Sequence, residues 1–227
     1  MADFDISAIF PFVMPSTPGV TTSDLKRAIV GAARELTRKA RLWSVQLAPV
    51  YADGTTPDVA LVLPAGAELV KVEGWALGGV QRRMLTLDEA VAEGLEPNSF
   101  DTGVFFDGPD GGSDGLLTAP VAYVTDPVTP ILRVLPLQTD TTLAIVARAH
   151  LTLQEGATTF PSALTPHMRL IGQGATYMLQ LLPEKGYSNP GQASINKDLF
   201  DVGVGRLVLR AGRAYGAGTT RRRPRNY

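Results

Sequence analysis

With 227 residues, 44% apolar and 19% charged, and a net charge of −1, the chain is neither a disordered polyelectrolyte nor a globally basic polymer binder, and its 23 Gly and 17 Pro follow no collagen period. A chain of this length can remove roughly 70–75% of its unfolded surface from water, so it needs neither a metal nor a crosslink to fold. The absence of Cys excludes disulfides, thiolate zinc sites and a cysteine nucleophile, and the two histidines, His150 and His167, leave little for imidazole-based acid–base or metal chemistry.

Residues 1–22 form an N-terminal arm, MADFDISAIFPFVMPSTPG and its continuation. Its acids stand where a secretory signal needs bases, and Pro11 and Pro15 interrupt the apolar run from Ala8 to Met14. No segment reaches the ~20 apolar residues of a membrane span. The arm reads as a partly extended strand whose Phe10, Phe12 and Val13 need cover, on this chain or on a neighbouring subunit. From Ser23, SDLKRAIVGAARELTRKARLW places Leu25, Ala28, Ile29, Ala32, Leu36 and Ala40 on one stripe, the mark of an amphipathic helix. Ser23 is its expected cap, with Asp24 at the positive end and Arg38, Lys39 and Arg41 at the negative end.

From Trp43 the pattern changes to short β-rich runs separated by Pro, Gly and Asp: 43–51, 59–63, 68–77, 80–85, 101–106, 121–125, 131–135 and 142–153. In the last of these Leu143, Ile145, Ala147, Ala149 and Leu151 alternate with a second set that ends in Arg148, His150 and Thr152, so one face is apolar. Residues 87–94 read as a short connecting helix.

The helical period returns after Pro161. Thr165–Pro166 is the expected start of a second helix carrying Met168, Ile171, Ala175, Met178, Leu179 and Leu182, closed by Pro183. Gly172 and Gly174 inside it each cost ~1 kcal/mol against alanine, which close approach of a neighbouring helix would offset. Asn189–Pro190 starts a third helix with Ala193, Phe200, Val204, Leu207, Val208, Ala211 and Tyr215 on one side. The expected fold class is α+β: a helical bundle formed by the N-terminal helix and the two C-terminal helices, with an inserted antiparallel β domain. The corresponding domains are the arm 1–22, a helical domain 23–42 with 161–215, a β domain 43–160, and an extended basic tail 216–227.

Charge is segregated: residues 24–41 carry +4, residues 43–160 carry −10, and residues 201–227 carry +6. Such segregation suits surfaces that face different partners. Nucleotide-binding glycine loops and the HExxH motif are absent. Gly111-Gly112-Ser113-Asp114-Gly115 matches GxSxG formally, but it is followed by LLTAPVAYV, a strand-like run and not the helix a nucleophile elbow requires. Asp107, Asp110 and Asp114 match neither calcium-loop spacing. No catalytic residue, cofactor or metal ligand is therefore expected. The tail GAGTTRRRPRNY cannot continue a helix or make a core; it reads as a solubilising end, a nucleic-acid contact or, in preference to that contact, a docking tail whose Arg221, Arg222, Arg223 and Arg225 suit an acidic protein surface, with Asn226 and Tyr227 as anchors.

The stretches LKRAIVGAARELTRKARLW, LPAGAELVKVEGWAL, ILRVLPLQTDTTLAIVARAHLTL and FPSALTPHMRLIGQGATYMLQLLPEKGYSNPGQASINKDLF together resemble the head-to-tail adaptor proteins of tailed bacteriophages, of the tail tubular protein A type. The likeness spans roughly residues 22 to 215; where such adaptors often carry tryptophan between the last two helices, this chain has Tyr187. The resemblance implies a structural, non-enzymatic virion protein at the head–tail junction. It would form a homo-oligomeric ring, typically of twelve copies, between the portal protein and the tail nozzle or tube protein, and surround the channel through which double-stranded DNA passes without sequence recognition. It also implies that the C-terminal segment, with Arg221, Arg222, Arg223, Arg225, Asn226 and Tyr227, docks in the portal. The alternatives are another phage head-completion or tail assembly protein and, further off, a hydrolase or carbohydrate-binding β module.

Overall fold

The computed structural model describes residues 3–85, 121–126, 130–135 and 137–216. In chain order the elements are β1 (Phe4–Asp5), α1 (Phe10–Val13), α2 (Thr22–Ala40), β2 (Ser44–Gln46), β3 (Val50–Tyr51), β4 (Asp58–Ala60), β5 (Ala67–Leu77), β6 (Val80–Met84), β7 (Val121–Asp126), β8 (Ile131–Leu135), β9 (Ala144–Leu153), β10 (Thr159–Phe160), α3 (Met168–Gln180) and α4 (Pro190–Gly216). They fall into two compact units, Met1–Trp43 with Thr152–Tyr227, and Ser44–Leu151.

The second unit is an eight-stranded sheet of order β2-β9-β5-β6-β7-β8-β4, with β3 also pairing β9. Pro49 has no N–H to give to a ladder, so the run 43–51 is not one strand. It makes two short ones, β2 opposite Arg148–His150 and β3 opposite Ala144 and Ile145. Trp75, Tyr123, Leu132 and Ile145 are fully buried beneath this sheet's ladders. The Trp75 Nε1–H donates to the Arg83 carbonyl at 2.9 Å, which satisfies its one polar atom. At the far edge Asp58 lies directly opposite Arg133, and both carboxylate oxygens accept from the guanidinium, at 2.6 and 2.7 Å. This bidentate pair raises the Arg133 pKa above its ordinary value.

The expected helical bundle with an inserted antiparallel β domain is overturned. The chain is mixed α+β, dominated by the eight-stranded sheet, with four helices among the described residues, of which α1 is a single turn. Nor is the sheet purely antiparallel, because β6 pairs β7 in parallel, Arg83 opposite Val121. A parallel pair needs a crossover of about a dozen residues or more, and the 36 residues between β6 and β7 allow one. Alternation marks a strand but does not name its neighbour or its direction, and so the sheet's size and polarity were hidden.

In the first unit α2 buries Leu25, Ala28, Ile29, Ala32, Leu36 and Ala40, the stripe expected from its spacing. Its cap is Thr21, whose Oγ1 accepts from the Asp24 N–H at 3.2 Å, so Ser23 lies inside the first turn and is not the cap. The helix ends at Arg41 in the left-handed region, φ 50, where its N–H bonds the Thr37 carbonyl at 3.0 Å. Thr37 also meets Thr152 across 2.7 Å, tying α2 to the end of β9.

The N-terminal arm is extended only over β1, which pairs β10, Phe4 opposite Phe160. The rest coils through short turns that bury Ile6, Ile9 and Val13, leaving Phe12 exposed. The expected start of α3 at Thr165–Pro166 is also corrected: Pro166 lies in a 3-10 turn, Ser162–His167, and the α-helix begins at Met168. Asn189 caps α4 as expected, its Oδ1 accepting from the Gln192 N–H at 3.1 Å before Pro190 opens the helix.

The two costly glycines of α3 have the offset expected of them. A Cβ on Gly172 would sit 2.6 Å from Phe12 Cβ, and one on Gly174 would sit 2.8 Å from Phe200 Cε2 and 2.9 Å from Ala32 Cβ. α3 is thus clasped by the arm, α2 and α4. Buried Gln180 joins the same parts: its Nε2 donates to the Ser16 carbonyl at 3.3 Å and its Oε1 accepts from Asn196 at 2.9 Å.

Candidate docking surface

Among the described residues no group of three or more His, Asp or Glu side chains could hold a metal ion, and no helix is long and apolar enough to cross a membrane. His150 is buried on β9 opposite Ser44, and His167 is half-buried at the entrance to α3. The two are therefore in different elements and form no site together. Ser113, the carboxylates Asp107, Asp110 and Asp114, the run 101–106, the helix expected over 87–94, and Arg221, Arg222, Arg223, Arg225, Asn226 and Tyr227 all lie outside the described residues.

The helices do build a site that these residues do not enter. α4 packs Ala193, Phe200 and Val204 into the unit, but burial stops there: Val208 and Leu209 are exposed, and Leu207 is half-buried, against the expectation that the apolar stripe continues. At Gly203 the helices touch so closely that a Cβ would collide with Leu170 Cδ1 of α3. Beyond this contact α3 and α4 enclose a groove of about 350 Å³ whose walls include His167, Arg169, Leu170, Arg206 and Arg210. No carboxylate lines it, and among the described residues none of the three arginines has an acidic partner. Burial, and then the charge of Arg210, lower the His167 pKa below the ordinary value, which disfavours a further positive charge in an already positive groove.

A second basic groove, about 760 Å³, runs beside α2 past Lys26, Arg27 and Arg34 to the hairpin Glu155–Thr158. Two of its three cations meet counter-charges from this chain: Arg34 pairs with Glu155 at 3.5 Å, and Asp5, whose pKa is lowered first by its Ser7 hydrogen bonds, is lowered further by the charge of Lys26. Tyr187, at the position noted in the resemblance, is buried with its hydroxyl 3.5 Å from Asp24.

Sequence reasoning missed Arg169, Arg206 and Arg210 as a group. The spacing of Arg206 and Arg210 puts them on one helical face, and that much was legible. Arg169 joins them only through the packing of α3 on α4. Comparison with protein-family models finds no match, and comparison with curated proteins finds none either.

Proposed function

We propose that the chain is a structural ring adaptor joining a phage portal to the tail nozzle or tube, with DNA passing through the ring and no reaction to catalyse. The observation that carries this reading is the cationic surface on α3 and α4, whose Arg169, Arg206 and Arg210 have no acidic partner among the described residues. A catalytic site concentrates perturbed titratable groups in a cleft, whereas unpaired arginines on a rigid helix pair suit the gripping of an acidic protein surface. A closed ring is built from heterologous contacts, in which one face of each copy meets a different face of the next. Segregated charge supplies such faces.

The portal contact is tested by mixing the purified chain, and a variant ending at Tyr215, with portal protein and measuring co-sedimentation. The full chain should bind and the truncated one should bind at least about tenfold more weakly, the loss expected when several charge-assisted contacts are removed. Equal binding by the two would refute docking through residues 216–227.

A further inference from the structure

The α3–α4 groove has two properties that select its occupant. Its arginines Arg169, Arg206 and Arg210 lack acidic partners among the described residues, so the occupant is anionic. Beside them α4 exposes Ile195, Leu199, Val202 and Leu209, spaced so that they share one face with Arg206 between them. Val202 is 53% and Leu209 64% exposed, which is apolar surface that a duplex phosphate backbone would leave wet and a protein would cover. The occupant must therefore combine acids with apolar side chains.

The chain itself holds such a segment. Residues 86–120 carry eight Asp or Glu, no Lys or Arg, and Phe100, Phe105 and Phe106. We infer that the groove of one copy takes the acidic segment 86–120 of a second copy, carboxylates on the arginines and phenylalanines on the apolar stripe. The contact is heterologous, groove to segment, so each copy keeps one free groove and one free segment and assembly propagates until it closes. The α2 groove is a poorer receptor because α2 exposes no large apolar side chain beside it and Arg34 already faces Glu155. The inference rests on the ring reading above and names the contact between neighbours in that ring.

The experiment is a complementation between two full-length variants, followed by mass photometry and analytical ultracentrifugation. One carries R169E/R206E/R210E; the other has all eight acids of 86–120 changed to Asn or Gln. Wild type should self-associate, with salt weakening it, and each variant alone should do so at least about tenfold more weakly. Mixed in equal amounts, the intact segment of the first meets the intact groove of the second, and a one-to-one dimer that cannot grow should form. This recovery also shows that both variants are folded. Wild type that stays monomeric, variants that assemble like wild type, or a mixture without dimers would overturn the inference, as would duplex DNA binding that needs the three arginines. The test uses no portal protein: assembly that survives both variants sinks the groove contact and leaves portal docking intact, while a failed portal experiment leaves this result unaffected.

Discussion

The groove beside α2 and the groove between α3 and α4 hold three arginine or lysine side chains each, yet they differ in what answers the charge. Beside α2 the chain supplies counter-charges to two of the three, Glu155 to Arg34 and Asp5 near Lys26. Between α3 and α4 it supplies none among the described residues. Charge count therefore does not separate a solvated face from a docking face. What separates them is whether folding already satisfies the cations, and whether apolar surface lies exposed next to them.

The frame that makes the second groove can be broken first. Gly174→Ala forces a methyl against the Phe200 ring and the Ala32 methyl. Overpacking of this kind costs typically 1–3 kcal/mol and alanine regains about 1 kcal/mol in helix propensity, so a net loss of about 1 kcal/mol is expected in urea denaturation. Gly205→Ala, where a Cβ meets nothing, should be neutral or stabilising in the same assay. The grooves themselves are compared by charge reversal: R169E/R206E/R210E should weaken self-association at least about tenfold, whereas K26E/R27E should change it less than about twofold.

His167 gives a smaller, pH-dependent signature of the positive groove. Its pKa lies below the ordinary value in the folded chain, so the unfolded chain binds that proton more readily. Its contribution to stability is then complete above about pH 6.5 and is lost as pH falls below that value. His167→Gln should flatten the fall in denaturation midpoint between pH 7.5 and 5.5 relative to wild type. If carboxylates fill the groove, the imidazole should titrate at higher pH in the assembled wild type than in the variant whose eight acids of 86–120 are neutralised, read by NMR. Smallest of all is Glu155→Ala: its side chain is 93% exposed, and an exposed ion pair of this kind is worth well under 1 kcal/mol, so stability should move by less than about 0.5 kcal/mol.

Local pattern was legible where local chemistry decides. The stripe of α2, the Asn189 cap, the close approach at Gly172 and Gly174, and most strand positions follow from period, capping and the cost of glycine. The fold class did not follow, because the partners of β6 and β7 and the total strand count depend on contacts between distant residues. The arm's expected extended form holds only in part: Pro11 sits within the single turn of α1 and Pro15 within the 3-10 turn that follows, where proline's fixed φ suits the first turn of a helix. The candidate site was half legible, in that Arg206 and Arg210 share a face by spacing. Arg169 and the exposed Leu209 entered only once the helices were packed.

The central claim, a coupling ring at the junction of capsid and tail, is tested most directly by cryo-electron microscopy of particles assembled with this chain. The expected result is density for a ring of copies at the single portal vertex, with α4 directed toward the portal. Density elsewhere on the particle, or none at that vertex, would contradict it.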